Sequence, residues 1–205
     1  AVITDPHKEL YGKDGRRMAA SSGKLVEDTV KALNQMKDLD FVMVTGDLTA
    51  DGEPWNLDLM KGYLDDLRVP YYVISGNHDF APPKQAKPEN PPHVGVNRGA
   101  FIWTFQGHGY NGPDGWWSLD PMPGLHIIGL DSNVITNWGG HIPQAELKFL
   151  DKDLSANQNK VNVVFCHHNF LPWHKDDEFG GKFDKFQVDN GAEVRKIFEK
   201  YVPSV

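Results

Sequence analysis

Two short apolar runs, Phe41-Val42-Met43-Val44 and Tyr71-Tyr72-Val73-Ile74, each lead into a glycine followed by residues that can bind a cation. The first run reaches Gly46-Asp47, the second Gly76-Asn77-His78-Asp79. A third run, Val2-Ile3-Thr4, leads into Asp5-Pro6-His7. Apolar runs of this length read as buried strands. If the groups at their ends are to share one site, the strands must lie side by side and point the same way. Oxygen donors mixed with imidazole suit Mn, Fe or Zn better than a thiolate-selecting metal. The pattern predicts one shared metal site, holding two ions.

Between these runs the apolar spacing turns helical. Ser21 or Ser22 can cap a helix reaching about residue 38, with Leu25, Val26, Val30 and Leu33 on its apolar face. Pro54 sits near the start of a second helix, to about residue 67, with Trp55, Leu59, Met60, Tyr63, Leu64 and Leu67 inward. A βαβαβ run of this kind predicts parallel pairing and right-handed crossovers. It also predicts ligands at the carboxyl ends of the strands. Residues 81–124 are rich in proline and glycine and read as a long irregular excursion of a functional kind. A strand over 125–130 runs into Asp131-Ser132. A helix follows over 144–154, with Ala145, Leu147, Phe149, Leu150 and Leu154 as its apolar members. A strand over 161–166 ends at His167, and 191–201 reads as a last helix.

The 205 residues suffice for one domain with a substantial core. A formal net charge of −7 argues against non-specific nucleic-acid binding through a basic face. It does not exclude a phosphate substrate, because bound metal ions supply local positive charge. The single cysteine, Cys166, has no partner for an internal disulfide, so the compartment stays open. No apolar run approaches the ~20 residues of a membrane-spanning helix.

The chemistry of each motif follows from its donors. Asp5 and His7 are two apart, and residues i and i+2 of a strand share a side, so both can reach one ion. Asp47 has two carboxylate oxygens and can bridge two ions; alone, Gly-Asp is also a common turn. Asn77 offers a neutral amide oxygen, and Gly-Asn is likewise a common turn pair. A histidine followed by a carboxylate can be held in one tautomer, which makes His78 a candidate acid with Asp79 as its orienter. His167 and His168, at the end of a strand, would face opposite sides, so only one of the two can face a site there.

Together Asp5-Pro6-His7, Gly46-Asp47, Gly76-Asn77-His78-Asp79 and Phe165-Cys166-His167 resemble the motif series of the calcineurin-like metallophosphoesterases. That series runs D-x-H, G-D, G-N-H-D, an apolar strand ending in His, and G-H-x-H. Arg98-Gly99-Ala100-Phe101, Trp117-Ser118-Leu119-Asp120, Gly129-Leu130-Asp131-Ser132 and Gln144-Ala145-Glu146-Leu147 resemble landmarks of its cyclic-nucleotide phosphodiesterase-like branch. That branch also holds glycerophosphodiesterases and acid-phosphatase-like enzymes.

The resemblance implies an α/β fold, a two-sheet sandwich flanked by helices in four layers α/β/β/α, as a single domain over the chain. It implies that Asp5, His7, Asp47, Asn77 and His167 ligate two divalent or trivalent ions, Mn, Fe or Zn, with Asp47 as the bridge. His78 is then an outer-sphere catalytic group beside Asp79. The implied reaction is metal-dependent hydrolysis of a small phosphoester, a phosphodiester first, by a hydroxide bridging the two ions. A phosphomonoesterase, or a non-catalytic scaffold with a degenerate metal site, is the alternative. Phe80, Trp138, His168 and Trp173 flank the motifs and are candidates for contact with substrate; the aromatic ones form either a wall for a base or ordinary core.

The G-H-x-H block is missing. Gly107-His108 and Gly140-His141 have only its first half and read as loop histidines. The helix over 191–201 should lead into the strand that bears this block, so the expectation is a chain truncated at both ends. His93, His126 and His174 have no evident partner and default to surface or core positions. Oligomeric state is open.

Overall fold

The computed structural model describes residues 1–12, 14–15, 18, 20–80, 94–135, 137–171 and 186–201. Strand β1 (Val2–Ile3), helix α1 (Ser22–Leu33), strand β2 (Val42–Val44), helix α2 (Pro54–Asp65) and strand β3 (Tyr71–Val73) form the first half. They make a parallel sheet in the order β1-β2-β3, with Val2 opposite Met43 and Val44 opposite Val73. In the middle strand Val42, Met43 and Val44 are all completely buried, as expected of a parallel strand covered on both faces.

The second half contains helix α3 (Arg98–Thr104), strands β4 (Trp117–Met122) and β5 (Leu125–Gly129), helix α4 (Gln144–Ala156), strand β6 (Val161–Phe165) and helix α5 (Gly191–Tyr201). Its sheet has the order β4-β5-β6; β4 runs antiparallel to β5 and β6 parallel to it. The two sheets share one core, in which Val44, Val73 and Ile74 meet Trp117 and Ile127. A Cβ on Gly129 would lie 2.7 Å from the Ile74 side chain, so the two sheets approach closely there. Helices α1 and α2 cover the first sheet through Val26, Val30, Leu57, Met60 and Leu64. Helices α4 and α5 cover the second through Leu147, Leu150, Leu154 and Val194. The expected α/β/β/α sandwich is what forms.

Polar anchors explain where the helices depart from the apolar reading. Helix α1 ends at Leu33, and the side chain of the next residue, Asn34, is engaged by the end of α2. Its Nδ2 donates to Asp66 O at 2.8 Å and its Oδ1 accepts from Arg68 N at 2.8 Å, tying the ends of α1 and α2. In α1, Leu25 is exposed instead of inward. In α2, Asn56 and Leu57 are buried in place of Leu59; Asn56 Oδ1 takes the Leu10 N–H at 2.9 Å. In α4, Glu146 is buried and Ala145 is not.

The excursion over 81–124 is more ordered than its composition suggests; residues 81–93 of it lie outside the described residues. Asn97 caps α3 by accepting from Ala100 N at 2.9 Å. Pro121 is tolerated in β4 because, among the described residues, that strand lies at the sheet's edge, and the register shifts between Leu119 and Met122. The outer edge of β3 is also closed from this region: Trp117 Nε1 donates to Val73 O at 3.0 Å, and His108 stacks on Tyr71 at 3.9 Å between ring centroids. His126 is not without a partner. It is buried and bridges Asp120 and Asp153, each 2.6 Å from one ring nitrogen.

Met43→Ala should lower the unfolding free energy by about 2–5 kcal/mol, since a fully buried side chain at the centre of the middle strand leaves a cavity. Leu25→Ala should change it by less than about 0.5 kcal/mol, being exposed. Urea denaturation of both variants checks the assignment of the α1 and β2 faces.

Candidate metal centre

The ends of β1, β2 and β3 meet through two glycines. Gly46 has φ +95°, and a Cβ there would lie 2.5 Å from Gly76 N. A Cβ on Gly76 would strike the Asp47 amide and carboxylate. Only backbones without side chains can come this close, which seats Asp47 directly on the β3 loop.

Among the described residues, the non-glycine positions with positive φ are Asp5 (52°), His7 (44°) and Asp47 (53°). Each such conformation costs about 1–3 kcal/mol and persists only where the surroundings fix it. Here the fixing is a continued ladder. Asp5 N donates to Gly46 O at 3.2 Å, His7 N to Asp47 O at 2.9 Å and Lys8 N to Leu48 O at 2.8 Å. Strand β1 stops at Ile3, so Asp5 and His7 converge by left-handed kinks and not by strand alternation.

The Asp47 carboxylate is two-sided. Its Oδ2 lies 3.5 Å from His7 Nε2 and its Oδ1 lies 3.4 Å from His167 Nε2. On the first side His7 Nε2 is also 3.6 Å from Asp5 Oδ1. On the second side His167 Nε2 is 3.2 Å from Asn77 Oδ1. His167 Nδ1 meets the Thr45 carbonyl at 2.9 Å. A carbonyl only accepts, so Nδ1 carries the proton and, in the neutral ring, Nε2 turns a lone pair toward two oxygens. Lone pairs converging in this way repel each other unless a cation lies between them. His7 Nδ1 is buried with no hydrogen-bond partner among the described residues. Donor atoms of Asp5, Asp47 and His167 lie within 4.8 Å of one another, as do those of His7, Asp47 and His78. The donor set therefore fits two ions on the two sides of Asp47. Burial acts to raise the Asp5 carboxyl, but the nearby His7 imidazole, the Thr4 hydroxyl and the charge of surrounding imidazoles outweigh it and hold it down at about 2.

The structure corrects the expected pairing of His78 with Asp79. His78 Nδ1 meets the Ala50 carbonyl at 2.6 Å, with Asp51 Oδ1 at 3.9 Å. The Asp79 oxygens are taken by backbone: Oδ2 by Gly76 N at 2.9 Å and Oδ1 by Thr49 N at 3.0 Å. Asp79 is completely buried, and its burial, with the charge of Asp47, pushes its carboxyl up to about 7. It fastens the β2 loop to the β3 loop, and the Ala50 carbonyl fixes the imidazole. His78 also stands within reach of the His7–Asp47 side.

The substrate-side candidates separate. Phe80 is 2% exposed and packs against Phe101, so it is core. Trp138 is 37% exposed, and its ring lies 4.8 Å from that of His78. His168 is buried, with Nδ1 2.7 Å from Ser132 Oγ and Nε2 3.0 Å from the Trp138 carbonyl. Both its nitrogens are occupied, so it does not face a substrate. Its burial and the neighbouring His167 pull it down to about 4. Trp173, like His93 and His174, lies outside the described residues. His108 and His141 are spent elsewhere, His141 on Asp189 at 2.7 Å.

One polar network was not foreseen. Asn133 Nδ2 donates to Ser75 O at 3.0 Å and to Asp131 Oδ1 at 2.9 Å. Arg98 lies 2.6 Å from Asp131 Oδ2 and donates to Asn133 O at 2.9 Å. Glu146 Oε1 accepts from Asp131 N at 2.7 Å. The landmark runs containing Arg98 and Glu146 thus converge on Asp131, and Asn133 ties this cluster to Ser75, next to the metal-side loop.

A family model for calcineurin-like phosphoesterases matches residues 1–198. The chain belongs to the calcineurin-like phosphoesterase family. It is 25% identical to a 3',5'-cyclic-nucleotide phosphodiesterase of Nostoc sp. over 98% of this chain and 66% of that one. It is 26% identical to a 3',5'-cyclic adenosine monophosphate phosphodiesterase of Haemophilus influenzae, over 97% of this chain and 64% of the relative. With a probable glycerophosphodiester phosphodiesterase of Arcobacter nitrofigilis the identity is 28%, over 81% and 55%. The calcineurin-like chain thus spans from 55% to 66% of the length of these relatives. Family membership implies a dinuclear metal site, which agrees with the donor set around Asp47. Among the described residues, no helix is long and apolar enough to cross a membrane.

Glu146 gives a pH test of the supporting network. Burial and the Asp131 charge raise its carboxyl from 4.5 to about 9, against the Asp131 N–H bond that lowers it. Between those values the folded chain holds a proton that the unfolded chain does not, so this residue's contribution to stability falls as pH rises. Glu146→Gln keeps the acceptor for Asp131 N and loses the titration. Relative to wild type, the variant should gain stability steadily from about pH 5 to about pH 9, read by urea midpoints.

Proposed function

We propose that this chain carries the catalytic metal face of a phosphodiesterase that works with two ions of Mn, Fe or Zn. The two-sided Asp47 carboxylate carries the reading: His7 stands 3.5 Å from one of its oxygens and His167 stands 3.4 Å from the other. Asp5 and His7 would hold the first ion, Asn77 and His167 the second, and Asp47 both. When bound, two such ions supply Lewis acidity toward phosphoryl oxygens and lower the pKa of water toward neutrality. Carboxylate, amide and imidazole donors accept any of the three metals.

The remaining work falls to His78 and Trp138. With Nδ1 engaged by the Ala50 carbonyl, this reading assigns the reaction chemistry to Nε2. In this role His78 acts as the imidazolium, its Nδ1–H held by the Ala50 carbonyl: as a water-derived oxygen bonds to phosphorus and the ester P–O bond breaks, the Nε2 proton passes to the ester oxygen, the leaving group departs as an alcohol and His78 is left neutral. Trp138, partly exposed beside His78, offers an aromatic face to the organic part of the substrate. The relatives' names favour a phosphodiester, cyclic or glycerol-linked, over a monoester.

With Mn²⁺ supplied, the protein should hydrolyse bis-p-nitrophenyl phosphate faster than p-nitrophenyl phosphate, and a chelator should stop it. A reversed preference makes it a monoesterase. Absence of turnover from protein that binds both ions makes it a scaffold. Asp47→Ala should lose bound metal and turnover together. His78→Ala should lower kcat by about 10²–10⁴-fold with metal content unchanged; metal lost from that variant would make His78 a ligand instead.

A further inference from the structure

We propose that His168 is a positioning residue: its buried imidazole braces the loop that carries Trp138 and so holds the indole against His78. The loop closes on itself where Asn133 bridges Gly140 and where His141 N donates to Ser132 O at 2.9 Å. His168 reaches across it from the end of β6. The Trp138 carbonyl, 3.0 Å away, accepts only, so His168 Nε2 carries the hydrogen. Nδ1 then accepts from Ser132 Oγ–H at 2.7 Å. These two bonds use the whole hydrogen-bonding capacity of a neutral imidazole and fix its tautomer. A Cβ on Gly140 would lie 2.9 Å from His168 Nδ1, so the ring fills the loop's neck.

The brace has a firm base and a functional tip. Ser132 is completely buried, and its neighbours Asp131 and Asn133 are tied to Arg98 and Ser75. At the tip, the backbone of Trp138 is held by His168. The indole lies 4.8 Å from the His78 ring at an interplanar angle of 48° and is still 37% exposed. A large side chain on a surface loop has no such fixed pose unless its backbone is restrained. His168 thus acts through Trp138, and it shapes the aromatic face offered to a planar group on the substrate. This consequence for substrate rests on the phosphodiesterase reading; the brace itself does not.

Three variants test it. His168→Gln can still donate to the Trp138 carbonyl. His168→Asn is too short for that bond and retains only the Ser132 side. Trp138→Ala removes the indole. Amide hydrogen exchange at His141 should accelerate about tenfold or more in His168→Asn and stay near wild type in His168→Gln. Bound metal should be unchanged in all three, which separates His168 from its neighbour His167.

On bis-p-nitrophenyl phosphate, His168→Asn and Trp138→Ala should each lower kcat/KM about tenfold, and the double variant should fall no further than either. Two results overturn the brace: unchanged exchange in His168→Asn, or single losses that multiply to about a hundredfold in the double variant. If wild type shows no turnover, the phosphodiesterase reading fails, and exchange alone then decides for or against the brace.

Discussion

The seat of Asp47 is the constraint on which the rest of the structure depends. Its carboxylate has to face two imidazoles at once, and that demands a left-handed backbone at Asp47 and bare backbone at Gly46 and Gly76. Its Oδ1 also accepts the His78 N–H at 2.8 Å, which binds the β3 loop to the β2 loop at the same point. The strained backbone costs free energy that the loops alone could not return. It is held because β2 is the buried middle strand of its sheet and because the ladder continues beyond the strands to Lys8. The sandwich is a rigid frame for three loop ends.

Around this seat the protein uses buried polar groups as fasteners and leaves few of them to meet a substrate. Asp79 joins the β2 and β3 loops through backbone amides. Asn133 joins the β5 end to Ser75 in the β3 loop. His167 is aimed by the Thr45 carbonyl, so the second sheet delivers its imidazole against the first. Each fastener crosses between elements that are distant in sequence. A buried polar group has to be satisfied to be stable, and satisfying it across the sheet interface fixes the loops relative to one another.

Much of this was legible in the sequence, because strand-terminal motifs state both a topology and a chemistry. The βαβαβ half and its parallel register follow from the apolar runs and their spacing. The side chains of Asp5, His7, Asp47, Asn77 and His167 do lie close together. What could not be read depended on partners far away in sequence. Nothing local distinguishes an Asp79 that orients His78 from one that caps two backbone amides. Phe80 beside a motif looks like a wall, but its burial is decided by α3, which the proline-rich composition of its region concealed. Glu146 interrupts an apolar face for the sake of Asp131 N, and His126 is buried because carboxylates from two other elements meet it. His168 looked like a second-choice ligand; its occupants are a serine and a carbonyl brought in by the loop after β5.

The most direct test of the two-sided carboxylate is anomalous diffraction from crystals of the protein soaked in Mn²⁺. The account predicts two peaks, both within bonding distance of Asp47, one against Asp5 and His7 and the other against Asn77 and His167. A single peak, or a pair in which Asp47 touches only one ion, would contradict it.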